Sequence, residues 1–218
     1  MHATSRILVA LLAVLLLTSL GACQKRTPKE HAPTIIPQAF RVGVAWFTQP
    51  TTTSELITGQ LPSHQGKINP GLLLDLDSTL ARTLSQESNR QFVTLPAPAS
   101  MPSMHFHESG SPQGLQTWLA IGRNADVDLL FVPQIMHWQE RDGGEAGVAK
   151  GAAIKVEFYL VDIARERLLK RYVFEEEQIG LADNLLTVDK FFKRRGRWVS
   201  ATELTQEGIR AAIREFGL

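Results

Sequence analysis

The chain has a single cysteine in 218 residues, Cys23. It can close no internal disulfide, and it has no thiolate cluster for zinc or an iron–sulfur centre. Stability must therefore come from an apolar core. An excess of charge of either sign is lacking too. Its 23 Lys and Arg against 22 Asp and Glu leave a net +1, so there is no global positive field for nucleic acid. No apolar run reaches the roughly 20 residues of a membrane-spanning helix. Catalytic strings are missing: the chain has no G-x-S-x-G elbow, no H-E-x-x-H and no complete P-loop. Glycines gather with Lys150 between Asp142 and Gly151, but no Ser or Thr follows that lysine. That segment is read as a turn leading into a hairpin. We expect no catalytic residue and no cofactor, with a carboxylate pair dispersed in sequence left open.

What is present begins at the N-terminus. No carboxylate precedes Glu30, Arg6 is the one early cation, and an apolar run follows from Ile7 to Leu17. A basic start, a short apolar segment and small residues at a cut site make a secretory signal peptide. The run closes on Leu20-Gly21-Ala22-Cys23, which resembles the lipobox of bacterial lipoproteins. That resemblance implies cleavage between Ala22 and Cys23, and lipidation of Cys23 as the mature N-terminus. A thiolate suits this role because it is the nucleophile that accepts the diacylglyceryl group. Gln24 rather than Asp after the cysteine implies the outer membrane. The alternatives are a transmembrane anchor, for which the run is short, and a cut elsewhere, which would leave a free thiol.

The chain then divides into a signal at 1–22, a lipidated cysteine and tether at 23–39, and one domain at 40–218. The tether carries Lys25, Arg26, Pro28, Lys29, Pro33 and Pro37 without an apolar stripe, as a spacer does.

Within the domain, Phe40–Phe47 reads as a strand. Phe40, Val42, Val44 and Trp46 share one face, and Gly43, Ala45 and Phe47 the other. Thr48 to Lys67 reads as a long loop. Asn69-Pro70 opens a helix lined by Leu73, Leu76, Leu80 and Leu84, and Asp75 and Asp77 are placed on its solvated face. Gln91–Leu95 is a short strand, and Leu115, Trp118, Leu119 and Gly122 mark a second helix. Val127 to Gln134 is a buried strand, where Pro133 signals an irregularity or an edge. Ile154, Val156, Phe158 and Leu160 alternate with Lys155, Glu157, Tyr159 and Val161; after Ala164–Arg167 a second strand completes a long antiparallel hairpin. Ser200 and Glu203 form a capping box ahead of an apolar stripe through Leu204, Gly208, Ala212 and Phe216. The expected fold is α/β (α+β): a mixed sheet of about five strands with a long hairpin, flanked by helices.

This order resembles small periplasmic lipoproteins of the CsgG/LpoB type, related to the N-terminal domain of TolB. The features that carry it are Phe40–Phe47, the Leu-rich helix after Pro70, Ala125-Asp126-Val127-Asp128 ahead of an apolar strand, and the hairpin with Val161-Asp162 before its turn. The resemblance implies binding to envelope machinery without chemistry of its own. The long amphipathic segments of pore-forming members are missing from this chain.

Two side-chain groups invite a functional reading. Lys193, Arg194, Arg195 and Arg197 beside Phe191, Phe192 and Trp198 could dock an acidic partner, anionic lipid or a glycan polymer. The alternative places the aromatics in the core and the cations in solvent. Met101, Met104, His105 and His107, with Met136 and His137 elsewhere, offer the thioether and imidazole donors that suit copper. A metal-binding envelope protein is the alternative function, and a cell-wall hydrolase a third.

Overall fold

A computed structural model describes residues 36–98, 111–144, 147–178 and 197–218. Its centre is a five-stranded mixed sheet in the order β2-β1-β3-β6-β7. The strands are β1 (Val42–Val44), β2 (Phe92–Thr94), β3 (Leu129–Gln139), β6 (Ala153–Asp162) and β7 (Arg167–Glu177). β1 runs parallel to both β2 and β3, whereas β6 runs antiparallel to its neighbours β3 and β7. The β6–β7 turn is pinned by Asp162, whose Oδ1 accepts from the Arg165 amide at 2.9 Å. The glycine-rich segment read as a turn is itself a small second sheet, β4 (Asp142–Gly144) against β5 (Gly147–Lys150). Its glycines allow a tight antiparallel return there, with Gly143 at φ 118°.

Helices cover both faces. On one side lie α1 (Pro70–Glu87) and α3 (Ala201–Phe216). Leu76, Leu80 and Leu84 of α1 meet Leu204, Ile209, Ile213 and Phe216 of α3 over Val44, Phe131, Val156 and Phe158. On the other side α2 (Gly114–Asn124) sets Trp118 and Leu119 against Trp46, Leu130, Val132 and Tyr159. Local chemistry fixes the helix ends. The Asn69 side chain accepts from the Gly71 amide at 2.9 Å with Pro70 following it. Ser200 and Glu203 close the capping box, and Gly217 ends α3 in the left-handed region at φ 70°. α2 has no side-chain cap; instead the Ser54 and Leu56 carbonyls accept from the Gln113 and Gly114 amides at 3.1 and 2.8 Å. A Cβ on Gly114 would stand 2.5 Å from the Glu55 carbonyl oxygen, so this docking requires glycine.

Three sequence expectations change here. The first concerns the strand from Phe40. Val44 pairs with Phe131, yet the next bridge joins Thr48 to Gln134. The first strand takes four steps where β3 takes three, a one-residue bulge that reverses the alternation. Trp46 therefore joins Ala45 on the α2 side, and Phe47 joins Val42 and Val44 on the α1 side. The second is Pro133, which sits inside a central strand. The Phe131, Pro133 and Ile135 backbones face the β1 side. There, the missing proline N–H falls opposite the bulge and breaks no ladder. β3's own register shift lies beyond it, between Ile135 and His137.

The third is Asp77, which is half-buried and not solvated: its Oδ1 accepts from the Phe47 amide at 2.6 Å. The Thr48–Lys67 segment is the long loop expected, and it packs with Leu56 and Ile57 buried. The packed body also reaches back to Ile36, buried inside the segment read as tether. The buried Arg90 holds the Ile36, Pro37 and Phe40 carbonyls there. Among the described residues, no helix is long and apolar enough to cross a membrane.

Candidate functional site

β3, β6 and β7 run past the end of α2, and the face they expose there carries a chemically varied surface. Register builds it. His137 of β3 lies opposite Lys155 of β6, which lies opposite Glu175 of β7; one row further, Gln139, Ala153 and Glu177 align. Same-face neighbours across adjacent strands are close enough to interact, and Lys155 Nζ meets Glu175 Oε2 at 2.9 Å.

A wall stands beside this floor. The loop through Pro62–Gly66 is fastened to β3 by reciprocal bonds: the Gly66 amide donates to His137 Nδ1 at 3.1 Å, and the Trp138 amide donates to the Gly66 carbonyl at 3.2 Å. Gln49 Nε2 donates to the same carbonyl at 2.8 Å. A Cβ on Gly66 would lie 2.0 Å from the Trp138 carbonyl oxygen, so only glycine permits this approach. Two adjoining openings of about 390 and 520 Å³ result, sharing His64, His137 and Gln139. Lys150 borders one, and Lys155 with Glu175 and Glu177 the other. The cleft offers imidazole, ammonium, carboxylate and amide groups, the range of donors and acceptors that a polypeptide or a glycan presents in return.

Deeper on the same face lies a closed polar cluster. Glu157, 3% exposed, accepts from Arg171 Nη2 and Nε at 2.7 and 2.8 Å, and from the Tyr159 hydroxyl. Burial first, and then the Glu157 carboxylate, push the Tyr159 phenol well above its ordinary value. Gln134, next to Glu157 in register, donates to the Glu55 carbonyl at 3.1 Å and clamps the loop above. Every charge in this cluster is matched within it, as a structural network requires.

Ala22, Cys23, Lys193, Arg194 and Arg195 lie outside the described residues, as do Met101, Met104, His105 and His107. Of the basic-aromatic patch, Arg197 and Trp198 are placed. Arg197 Nη2 reaches Glu203 Oε1 at 3.2 Å, and the Trp198 carbonyl accepts from Arg141 at 2.8 Å. Both residues thus help to seat the start of α3. Met136 and His137 part company: the thioether is buried, and the imidazole lines the cleft. Among the described residues, no group of three or more His, Cys, Asp or Glu is arranged to hold a metal ion. Reading the sequence named His137 only as a copper candidate, and it did not single out His64, Gln139, Glu175 or Glu177. The signal available was strand alternation, which puts Lys155 and Glu157 on one face but cannot say where the covering helix stops.

No family model matches the chain, and no curated protein matches it in sequence. Solved structures resemble it in arrangement. The PelC dodecamer from Paraburkholderia phytofirmans matches with 10% identity over 86% of this chain and 94% of its own, TM-score 0.49. Protein XCC0632 from Xanthomonas campestris, of the DUF330 family, matches with 11% identity over 85% and 89%, TM-score 0.40. Lipoprotein GNA1162 from Neisseria meningitidis matches with 10% identity over 72% and 98%, TM-score 0.36. At these values none carries a family or an activity to this chain.

Proposed function

We propose that the protein is a lipid-anchored component of the bacterial cell envelope, held at the periplasmic face of the outer membrane. In this reading it binds or helps assemble an envelope complex without chemistry of its own, as in lipoproteins of the CsgG/LpoB type. The observation that carries this is Leu20-Gly21-Ala22-Cys23 at the end of an apolar run with no carboxylate before it. Several acyl chains on Cys23 hold firmly, since each buried methylene contributes about 0.8 kcal/mol. The cleft between the Pro62–Gly66 wall and the Lys155–Glu175 row is the partner surface we favour. It is concave, and its mixed charge suits a protein partner better than a single ion.

The anchor is tested by replacing Cys23 with Ser and following palmitate incorporation and membrane association. The reading expects unprocessed precursor and no label; normal processing with unchanged fractionation would overturn it. For the partner surface, a photo-crosslinking residue at His64 should trap a defined envelope protein in intact cells, and one at Arg82, on the exposed face of α1, should not. Equal trapping at both positions would count against the cleft.

A further inference from the structure

β7 is the long edge of the sheet. β6 is its one strand neighbour among the described residues, whereas the opposite edge, β2, spans only Phe92–Thr94. A long edge presents a row of backbone donors and acceptors that another strand can take up. Charged residues usually spoil such an edge. Here they are ordered so that they do not. Arg171, Val173 and Glu175 occupy alternate, exposed positions on the face that α2 leaves bare. Read along the strand they run cation, apolar, anion. A strand of the same sequence laid antiparallel reads anion, apolar, cation.

We propose that β7 pairs with β7 of a second copy of this chain, antiparallel about a two-fold axis at Val173, joining the two sheets into one. Such an isologous contact is self-complementary by construction. With Val173 opposite its symmetry mate, Arg171 of each copy stands opposite Glu175 of the other, an opposite-charge cross-strand pair made twice. Arg171 engages Glu157 through Nε and Nη2, and Nη1 takes no part in that pair. On the other face, Tyr172 comes opposite Phe174, both half-buried beside α3, so the pairing covers aromatic surface as well. Val173 adds an independent mark. It and Leu74 are the two exposed large hydrophobic side chains among the described residues, at 37% and 62%, and Val173 sits where the axis would pass. Moving the two-fold axis by two residues, to Glu175 or Arg171, would put that residue opposite its own symmetry mate, a like-charge contact. Moving it by one residue would set Val173 against Glu175 or Arg171, so the apolar pair and the charge order together favour this register.

The test uses the full-length chain. Val173→Cys in membranes should give an oxidised dimer on a non-reducing gel, because opposed Cα atoms in an antiparallel pair lie within disulfide reach. The wild type, with Cys23 alone, and Leu74→Cys, the other exposed apolar site, should not. In detergent, light scattering should find the wild type dimeric. Val173→Asp, which sets two carboxylates together at the axis, should weaken association by about tenfold or more with an unchanged circular dichroism spectrum. A monomeric wild type, a dimer indifferent to Val173→Asp, or equal crosslinking at Leu74→Cys and Val173→Cys would each overturn the pairing. The light-scattering comparison of wild type with Val173→Asp does not depend on lipidation of Cys23, so the proposal can fail while the anchor stands.

Discussion

The Asp77 carboxylate of α1 accepts a hydrogen bond from the Phe47 backbone amide at 2.6 Å, at the point where the bulged first strand leaves its ladder. The bulge removes that amide from regular pairing, and a side chain from the covering helix takes it up. Burial pushes the Asp77 carboxyl above its ordinary 3.8, while the Phe47 bond opposes the shift by holding the ionised form. Between 3.8 and the raised value the folded chain binds more protons than the unfolded one, so Asp77 lowers stability as pH rises through that window. Asp77→Asn keeps an acceptor and removes the titration. Its deficit against wild type in urea unfolding should be larger below pH 3.8 than at neutral pH. Asp77→Ala leaves the amide unmatched and should cost about 1–3 kcal/mol.

Much of the scaffold is legible in sequence because its periodicity is strong. The α3 stripe from Leu204 to Phe216 and the alternation from Ile154 to Val161 each report one face of one element, and both hold. The alternation at Trp46 and Phe47 misleads, because the extra residue is defined by the partner strand and leaves no mark on its own. Asp77 misleads for a related reason: a helix position at the margin of the apolar stripe is solvated or buried according to what lies beside the helix. The cleft was hidden more deeply. His64, His137, Lys155 and Glu175 meet only after the β3–β6–β7 register is set, and nothing local to any of them announces the others.

Glu157 depends on its two donors. Arg171→Met leaves a carboxylate that is 4% exposed with the Tyr159 hydroxyl as its remaining side-chain partner. The cost should be about 2–4 kcal/mol, below the full value for a buried pair because the Arg171 side chain is 39% exposed. Adding Glu157→Leu should recover much of that loss, since removing both charges leaves nothing buried unmatched. The phenol supplies a second readout. Its folded value is raised above the ordinary 10.0, so the unfolded chain releases that proton first and stability falls as pH rises beyond 10.0. Tyr159→Phe should flatten that alkaline limb in a pH series of thermal melts.

The capping box predicts a graded series. Ser200 accepts from the Glu203 amide at 3.1 Å, and Glu203 accepts from the Ser200 amide at 2.8 Å. Ser200→Ala should cost about 1 kcal/mol, and Ser200→Gly only a few tenths, because glycine leaves the amides open to water. Arg197 touches the same glutamate at 3.2 Å with its side chain 55% exposed, so Arg197→Ala should move stability by well under about 1 kcal/mol. Chemical denaturation of the three variants separates the cap from the ion pair.

Gly66 decides whether the cleft has a wall. A methyl group there would meet the Trp138 carbonyl oxygen at 2.0 Å, and that oxygen belongs to a core strand that cannot retreat. The loop must move instead, breaking the Gly66–His137 and Trp138–Gly66 bonds together. Gly66→Ala should therefore cost roughly 1–3 kcal/mol and raise amide exchange at Gly66 and Trp138, while the buried amides of β6 stay protected. If the cleft holds the partner, the same variant should lower crosslinking from His64 even at temperatures where the chain is fully folded. Gly71→Ala supplies the control, because a Cβ there meets only Asn69 Oδ1 at 3.4 Å, an ordinary contact. It should leave both exchange and crosslinking unchanged, which ties any loss in the Gly66 variant to the wall and not to glycine replacement in general.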